Sequence, residues 1–102
     1  MIDLYSWFTP NGRKISIMLE ETGLKYEVHP IAINKGDQND PEFLKIGPNN
    51  KIPVIVDRDN GLSIMESGAI LQYLGQKSGK FMPAGGNDYW KMQEWLMFQM
   101  AS

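Results

Sequence analysis

The tripeptide Asp59-Asn60-Gly61 constrains this chain more than any other feature. It lies between two short apolar runs, residues 53–57 and Leu62–Met65. Asparagine followed by glycine is a strong signal for a tight β-hairpin, because the turn needs left-handed backbone that these residues adopt at little steric cost. The two runs are therefore expected as antiparallel strands. A lone hairpin is marginal in water, so further strands or a packed helix must complete the structure.

The first half of the chain supplies them by a different route. Ile2–Ser6 reads as a strand with Ile2 and Leu4 on one face. Thr9-Pro10-Asn11-Gly12 is turn chemistry, and a helix over residues 11–22 follows, with Ile15, Met18 and Leu19 at helical spacing and Gly23 at its end. A strand is expected over residues 26–33, a loop over 34–40, and a short helical turn at Pro41-Glu42-Phe43-Leu44-Lys45. After the hairpin, residues 66–77 read as a helix with Ile70, Tyr73 and Leu74 as its apolar stripe. Strands joined through a helix should be parallel, with a right-handed crossover. The order β-α-β, loop, β-β-α thus predicts an α/β fold, a four-stranded mixed sheet flanked by helices.

Residues 80–87 carry Pro83, Gly85 and Gly86 and read as a linker, with Asp88 as the cap of a last helix. From Tyr89 to Ser102 nine residues are apolar, including Trp90, Trp95 and Phe98. A helix apolar nearly all round expects burial, so this one is expected to be the first helix of a missing helical domain, or to meet another subunit. The organisation expected is a domain over 1–80, a linker over 81–87 and that helix over 88–102.

Composition excludes several chemistries. There is no cysteine, so any thiol chemistry must use a thiol that a ligand brings. The net charge of −2 and the absence of a basic stripe argue against nucleic acid. The single histidine, His29, has too few candidate partners for a metal site and is expected in a structural or surface role; no metal is expected. The amino terminus shows neither a basic nor an apolar leader region, and no apolar run approaches membrane-spanning length. The cytoplasm is the expected compartment.

Three segments can carry chemistry. Thr9 and Asn11 stand at a helix start, beside backbone N–H groups that lack helical partners. A thiolate there would gain from the helix dipole and from a hydroxyl or amide donor. Arg13 and Lys14 in the first turn, with Glu20 and Glu21 in the last, oppose the dipole, an arrangement that a bound anion would make sensible. Plain capping by Thr9 or Asn11 explains the same residues. In Asn50-Lys51-Ile52-Pro53-Val54, a cis peptide before Pro53 would turn the Ile52 backbone outward to pair with an extended peptide, and Lys51 would meet a carboxylate; an ordinary loop proline entering an edge strand is the alternative. In Glu66-Ser67-Gly68-Ala69-Ile70 a second helix start would hold a carboxylate at Ser67 while Glu66 accepts from an ammonium group, against a simple serine cap. The topology puts all three at the same end of the sheet.

These segments, together with Pro41-Glu42-Phe43-Leu44 and in this order and spacing, resemble the N-terminal domain of glutathione transferases, most nearly the bacterial nu class of disulfide-bond reductases. The resemblance covers the whole chain. It implies a thioredoxin-like fold with cis-Pro53. It implies that the Ile52 backbone pairs with the cysteine of glutathione, that Glu66 and Ser67 hold the γ-glutamyl end, and that Lys51 and Gln38 lie near the glycyl end or the backbone. It implies that Thr9 and Asn11 contact the glutathione sulfur. The expected activity is that of an enzyme using glutathione as cosubstrate to reduce disulfides or conjugate electrophiles, a homodimer at full length. The rival expectation is a binding or dimerisation module of the same fold with little turnover.

Overall fold

The structure, a computed structural model, describes residues 1–81 and 85–101. In chain order its elements are β1 (Ile2–Ser6), α1 (Pro10–Thr22), β2 (Tyr26–Pro30), two 3-10 turns (Ile33–Lys35 and Asp37–Asn39), α2 (Pro41–Ile46), β3 (Val54–Asp57), β4 (Leu62–Met65), α3 (Ser67–Ser78) and α4 (Gly86–Ala101).

The strands form one sheet in the order β2-β1-β3-β4. β1 pairs with β2 in parallel, Leu4 opposite Val28. It pairs with β3 antiparallel, Leu4 opposite Ile55, and β3 pairs antiparallel with β4, Val54 opposite Met65. The mixed sheet expected from the hairpin and the β-α-β unit is present.

The central strands β1 and β3 are covered on both faces, since side chains alternate along each strand and both sets are buried, while β2 and β4 stay largely exposed. Ile2, Leu4 and Ile55 pack with Ile15 and Leu19 of α1 and Ile70 and Leu74 of α3 into one fully buried cluster. On the opposite face Val54 packs with Ile31 and with Phe43 of α2. Helix ends follow local chemistry. The Thr9 side chain accepts from the Gly12 N–H to cap α1, Pro10 sits in its first turn, and Gly23 closes it in a left-handed conformation, φ 74°. Asp40 caps α2 by accepting from the Glu42 N–H.

Four expectations need correction. β2 ends at Pro30 rather than at residue 33: the Ile31 N–H still donates to the Ser6 carbonyl at 2.8 Å, and the chain then bends into the first 3-10 turn at Ile33. The segment expected as a loop over 34–40 contains 3-10 turns, closed by the Asp37 carboxylate accepting from the Ala32 N–H. Ser67 is the first helical residue of α3 and not its cap; Glu66 takes the cap position. α4 begins at Gly86, so Asp88 lies inside its first turn instead of capping it. Within the expected linker, residues 82–84 lie outside the described residues. Among the described residues, no helix is long and apolar enough to cross a membrane.

At the end of the sheet where β3 finishes, charges are tightly paired. Buried Asp57 accepts from Lys77 at 2.7 Å, from the Tyr73 hydroxyl and from the Asp59 N–H. Burial alone would raise its pKa, but these donors outweigh it and hold the carboxyl near about 2. On the other face Arg58 donates to both Asp3 and Glu27, and His29 meets Asp3 at 2.9 Å while stacking on Tyr5. Asp3, Glu27 and His29 bring ligand-type atoms within 4.8 Å of one another. The Arg58 guanidinium already supplies the positive charge this group requires, and it holds Asp3 near about 2, with help from His29 against the opposing effect of burial.

Candidate functional site

The topology decides which ends meet. β1 and β4 both run antiparallel to β3, so their carboxyl ends and the start of β3 fall at one end of the sheet. The carboxyl end of β1 leads to α1, that of β4 leads directly into α3, and β3 is entered from Pro53. Two helix N-termini and the loop ahead of Pro53 therefore converge, and a helix N-terminus favours negative charge.

They enclose a cavity of about 170 Å³ lined by Asn11, Asn49, Lys51, Ile52, Pro53, Met65, Glu66 and Ser67. The Ile52–Pro53 peptide is cis. A neighbouring cavity of about 380 Å³ shares Asn11, Glu66 and Ser67 and continues along α3 past Gly68 and Gln72 to Met97 of α4. Six of the residues expected at a site thus line one space.

Each polar group there is set by its local structure. The Thr9 hydroxyl oxygen accepts from the Gly12 N–H at 3.1 Å, which leaves the hydroxyl proton able to donate to a ligand. Lys14 donates to the Asn11 side-chain oxygen at 3.3 Å, so the lysine orients the amide. Gly12 lets α1 approach β1: a Cβ there would lie 2.3 Å from the Ser6 hydroxyl and 2.6 Å from the Trp7 carbonyl oxygen. Glu66 is exposed and holds φ 75°, a left-handed backbone that non-glycine residues rarely adopt. Its side chain makes no capping bond to α3 and instead accepts from the Asn49 amide at 3.3 Å. Ser67, next in sequence, is buried.

Two expected residues stand apart from the cavity walls. Thr9 caps α1 just behind Asn11 and is not among the lining residues. Gln38 sits in the second 3-10 turn, reached from the β2 end on the same side of the sheet, and does not line either cavity. Its side-chain oxygen is buried without a hydrogen-bond partner. Two lining residues, Asn49 and Met65, escape sequence reasoning. Asn49 lies in a run of polar loop residues whose spacing does not say which side chain turns inward. Met65 reads only as a strand residue.

Comparison with known proteins agrees with this fold. Residues 1–76 match the family model for the glutathione S-transferase N-terminal domain. The chain is 49% identical over 105 residues to the disulfide-bond oxidoreductase YfcG of Escherichia coli, covering 98% of this chain and 49% of that protein. It superposes with a TM-score of 0.92 on a glutathione transferase family member from Pseudomonas fluorescens, solved with two glutathione bound, at 49% identity over 98% of this chain and 46% of the other. A glutathione transferase from Pseudomonas putida, solved with one glutathione disulfide bound per subunit, gives a TM-score of 0.90 at 48% identity, over 97% of this chain and 45% of the other. The chain spans about half the length of these relatives. A mixed sheet with α1 and α3 opening on one cavity, matched along residues 1–76, places this chain in the glutathione S-transferase N-terminal domain family.

Proposed function

We propose that the cavity binds glutathione and promotes ionisation of its thiol, so that glutathione reduces disulfides or attacks electrophiles without a protein cysteine. The observation that carries this reading is the convergence of Asn11, Lys51, Ile52, Pro53, Glu66 and Ser67 on one cavity. The donor set fits a zwitterionic peptide. The N-terminus of α3 at Ser67 suits the α-carboxylate of the γ-glutamyl group, and the Glu66 carboxylate beside it suits the α-ammonium. The Ile52 backbone pairs with the cysteinyl unit, and Lys51 with Gln38 serves the glycyl end or the backbone. The relatives solved with glutathione or its disulfide support this assignment.

In this reading the hydroxyl of Thr9 and the amide of Asn11 donate to the sulfur, and the N-terminus of α1 adds its dipole. Both favour the thiolate and lower the thiol pKa. The thiolate attacks one sulfur of a disulfide, that S–S bond breaks, and the departing thiolate takes up a proton. A second glutathione thiolate then resolves the mixed disulfide, so two glutathiones become glutathione disulfide and the substrate yields two thiols. The similarity to YfcG, whose name is disulfide-bond oxidoreductase, supports disulfide reduction over simple binding. At full length we propose a homodimer in which residues 1–80 form the binding unit, 81–87 the linker and 88–102 the start of a helical region.

Calorimetry with glutathione and a pH titration of bound-thiolate absorbance test the proposal together. Thr9→Ala is expected to raise the pKa of the bound thiol by about one unit, the effect of losing one hydrogen bond to a charged group. No glutathione binding, or an unchanged titration in the variant, would overturn the assignment. Binding without turnover of a small disulfide would favour a binding module.

A further inference from the structure

We infer that Asn49 is a positioning residue, which aims the Glu66 carboxylate at the ammonium group of the ligand. The inference rests on the glutathione reading above and adds to it a residue with no direct role in the chemistry.

Glu66 needs an orienting partner. Its backbone is held at φ 75°, but its exposed side chain has several rotatable bonds and makes no capping contact with α3. A carboxylate that must meet one ammonium group loses rotamer entropy on binding unless it is held in advance. The hydrogen bond from the Asn49 amide to one Glu66 oxygen, at 3.3 Å, supplies that hold. The second carboxylate oxygen stays available to accept from a ligand.

Asn49 is itself fixed from below. Gly47 lies against the core so closely that a Cβ there would stand 2.8 Å from a Val54 methyl and 3.3 Å from the Phe43 ring. The Asn50 N–H donates back to the Gly47 carbonyl at 3.0 Å, and Asn50 takes φ 60°, closing a tight turn with Asn49 inside it. The turn thus carries Asn49 from the core to the cavity wall, where it lies with Lys51, Ile52 and Glu66. One side-chain bond ties the loop ahead of Pro53 to the start of α3, across 17 residues of sequence.

The test separates this role from general support of the loop. Glutathione and its des-amino analogue, which lacks only the α-ammonium, are titrated calorimetrically into the unsubstituted chain, Asn49→Ala and Asn49→Ser. Asn49→Ser keeps a polar turn residue whose side chain is too short to reach Glu66, so it serves if the alanine variant folds poorly. Both variants should bind glutathione about three- to tenfold more weakly, the range for one lost hydrogen bond. Neither should bind the des-amino analogue more weakly than the unsubstituted chain does. In a Glu66→Gln background the Asn49 substitutions should have no further effect on glutathione affinity, since the charge they aim is gone. Equal losses for both ligands, a persisting loss in the Glu66→Gln background, or no loss at all would overturn the positioning role. Failure of the unsubstituted chain to bind glutathione would overturn the glutathione reading and this inference with it.

Discussion

At the residue scale, Glu66 shows how a site imposes its own backbone. Positive φ in a non-glycine residue costs on the order of 1–3 kcal/mol, and the surrounding structure must enforce it. A strand running into α3 without a connecting loop does so here, since Met65 still belongs to β4 and Ser67 already belongs to α3. Without a Cβ, glycine meets φ 75° and ψ 116° with less strain than glutamate, and the relief offsets the extra entropy glycine loses on folding, about 0.5–1 kcal/mol. Glu66→Gly is therefore expected to leave unfolding free energy unchanged or slightly raised while glutathione affinity falls at least tenfold. Chemical denaturation and calorimetry on the same sample would check it. A clear loss of stability would mean that the carboxylate supports the fold rather than the ligand.

At the scale of elements, α1 is both a core helix and one wall of the site, and Gly12 joins the two roles. Its missing Cβ lets the first turn press against Ser6 and Trp7 of the β1 end. That contact fixes where Thr9 and Asn11 stand relative to the sheet. Backbone and a buried hydroxyl cannot move aside as a flexible side chain would. Gly12→Ala should destabilise the fold by about 1–3 kcal/mol, the usual cost of forced overpacking, and weaken glutathione binding as well. Denaturant midpoints and calorimetry measure the two effects. A variant with unaltered stability and affinity would show that α1 has room to shift. In sequence Gly12 is legible only as turn chemistry; its real duty is the close approach of two backbones, which no local pattern records.

At the scale of the whole molecule, the two ends of the sheet are built differently. The end where β3 finishes is locked by Lys77, Tyr73 and Arg58 around Asp57, Asp59, Asp3 and Glu27. The opposite end carries the cavity between α1, α3 and the loop before Pro53. Charge pairing closes one end of the sheet beside the apolar core, and the other end carries the polar groups that the proposed function assigns to glutathione. Asp3 and Asp57, on opposite faces, both fall from an ordinary 3.8 to about 2 in the folded chain. Their folded forms favour ionisation, so the stabilisation is complete above the unfolded pKa and is lost as pH falls through the folded one. Denaturant midpoints should be level above about pH 5 and decline steeply between about pH 4 and pH 2. A midpoint unchanged across that acid range would refute the proposed lock. α4 packs on α3 and reaches the second cavity through Met97. It touches α3 through Gln93 and Gln72 and leaves Trp90, Trp95, Met97 and Phe98 exposed, the apolar surface that its sequence expects to be buried.

The sequence alone determined the strands, the helices and their order, because apolar period, proline, glycine and capping residues act within a few positions of themselves. It also placed Thr9, Asn11, Lys51, Ile52, Pro53, Glu66 and Ser67 at or beside element boundaries. It took the packed fold to bring Asn49 to Glu66, to keep Gln38 off the cavity wall, and to give Arg58 the acids beside His29. Those outcomes depend on distances between residues far apart in the chain. The stacking of α1 and α3 on a sheet of fixed register sets such distances, and no local propensity encodes them.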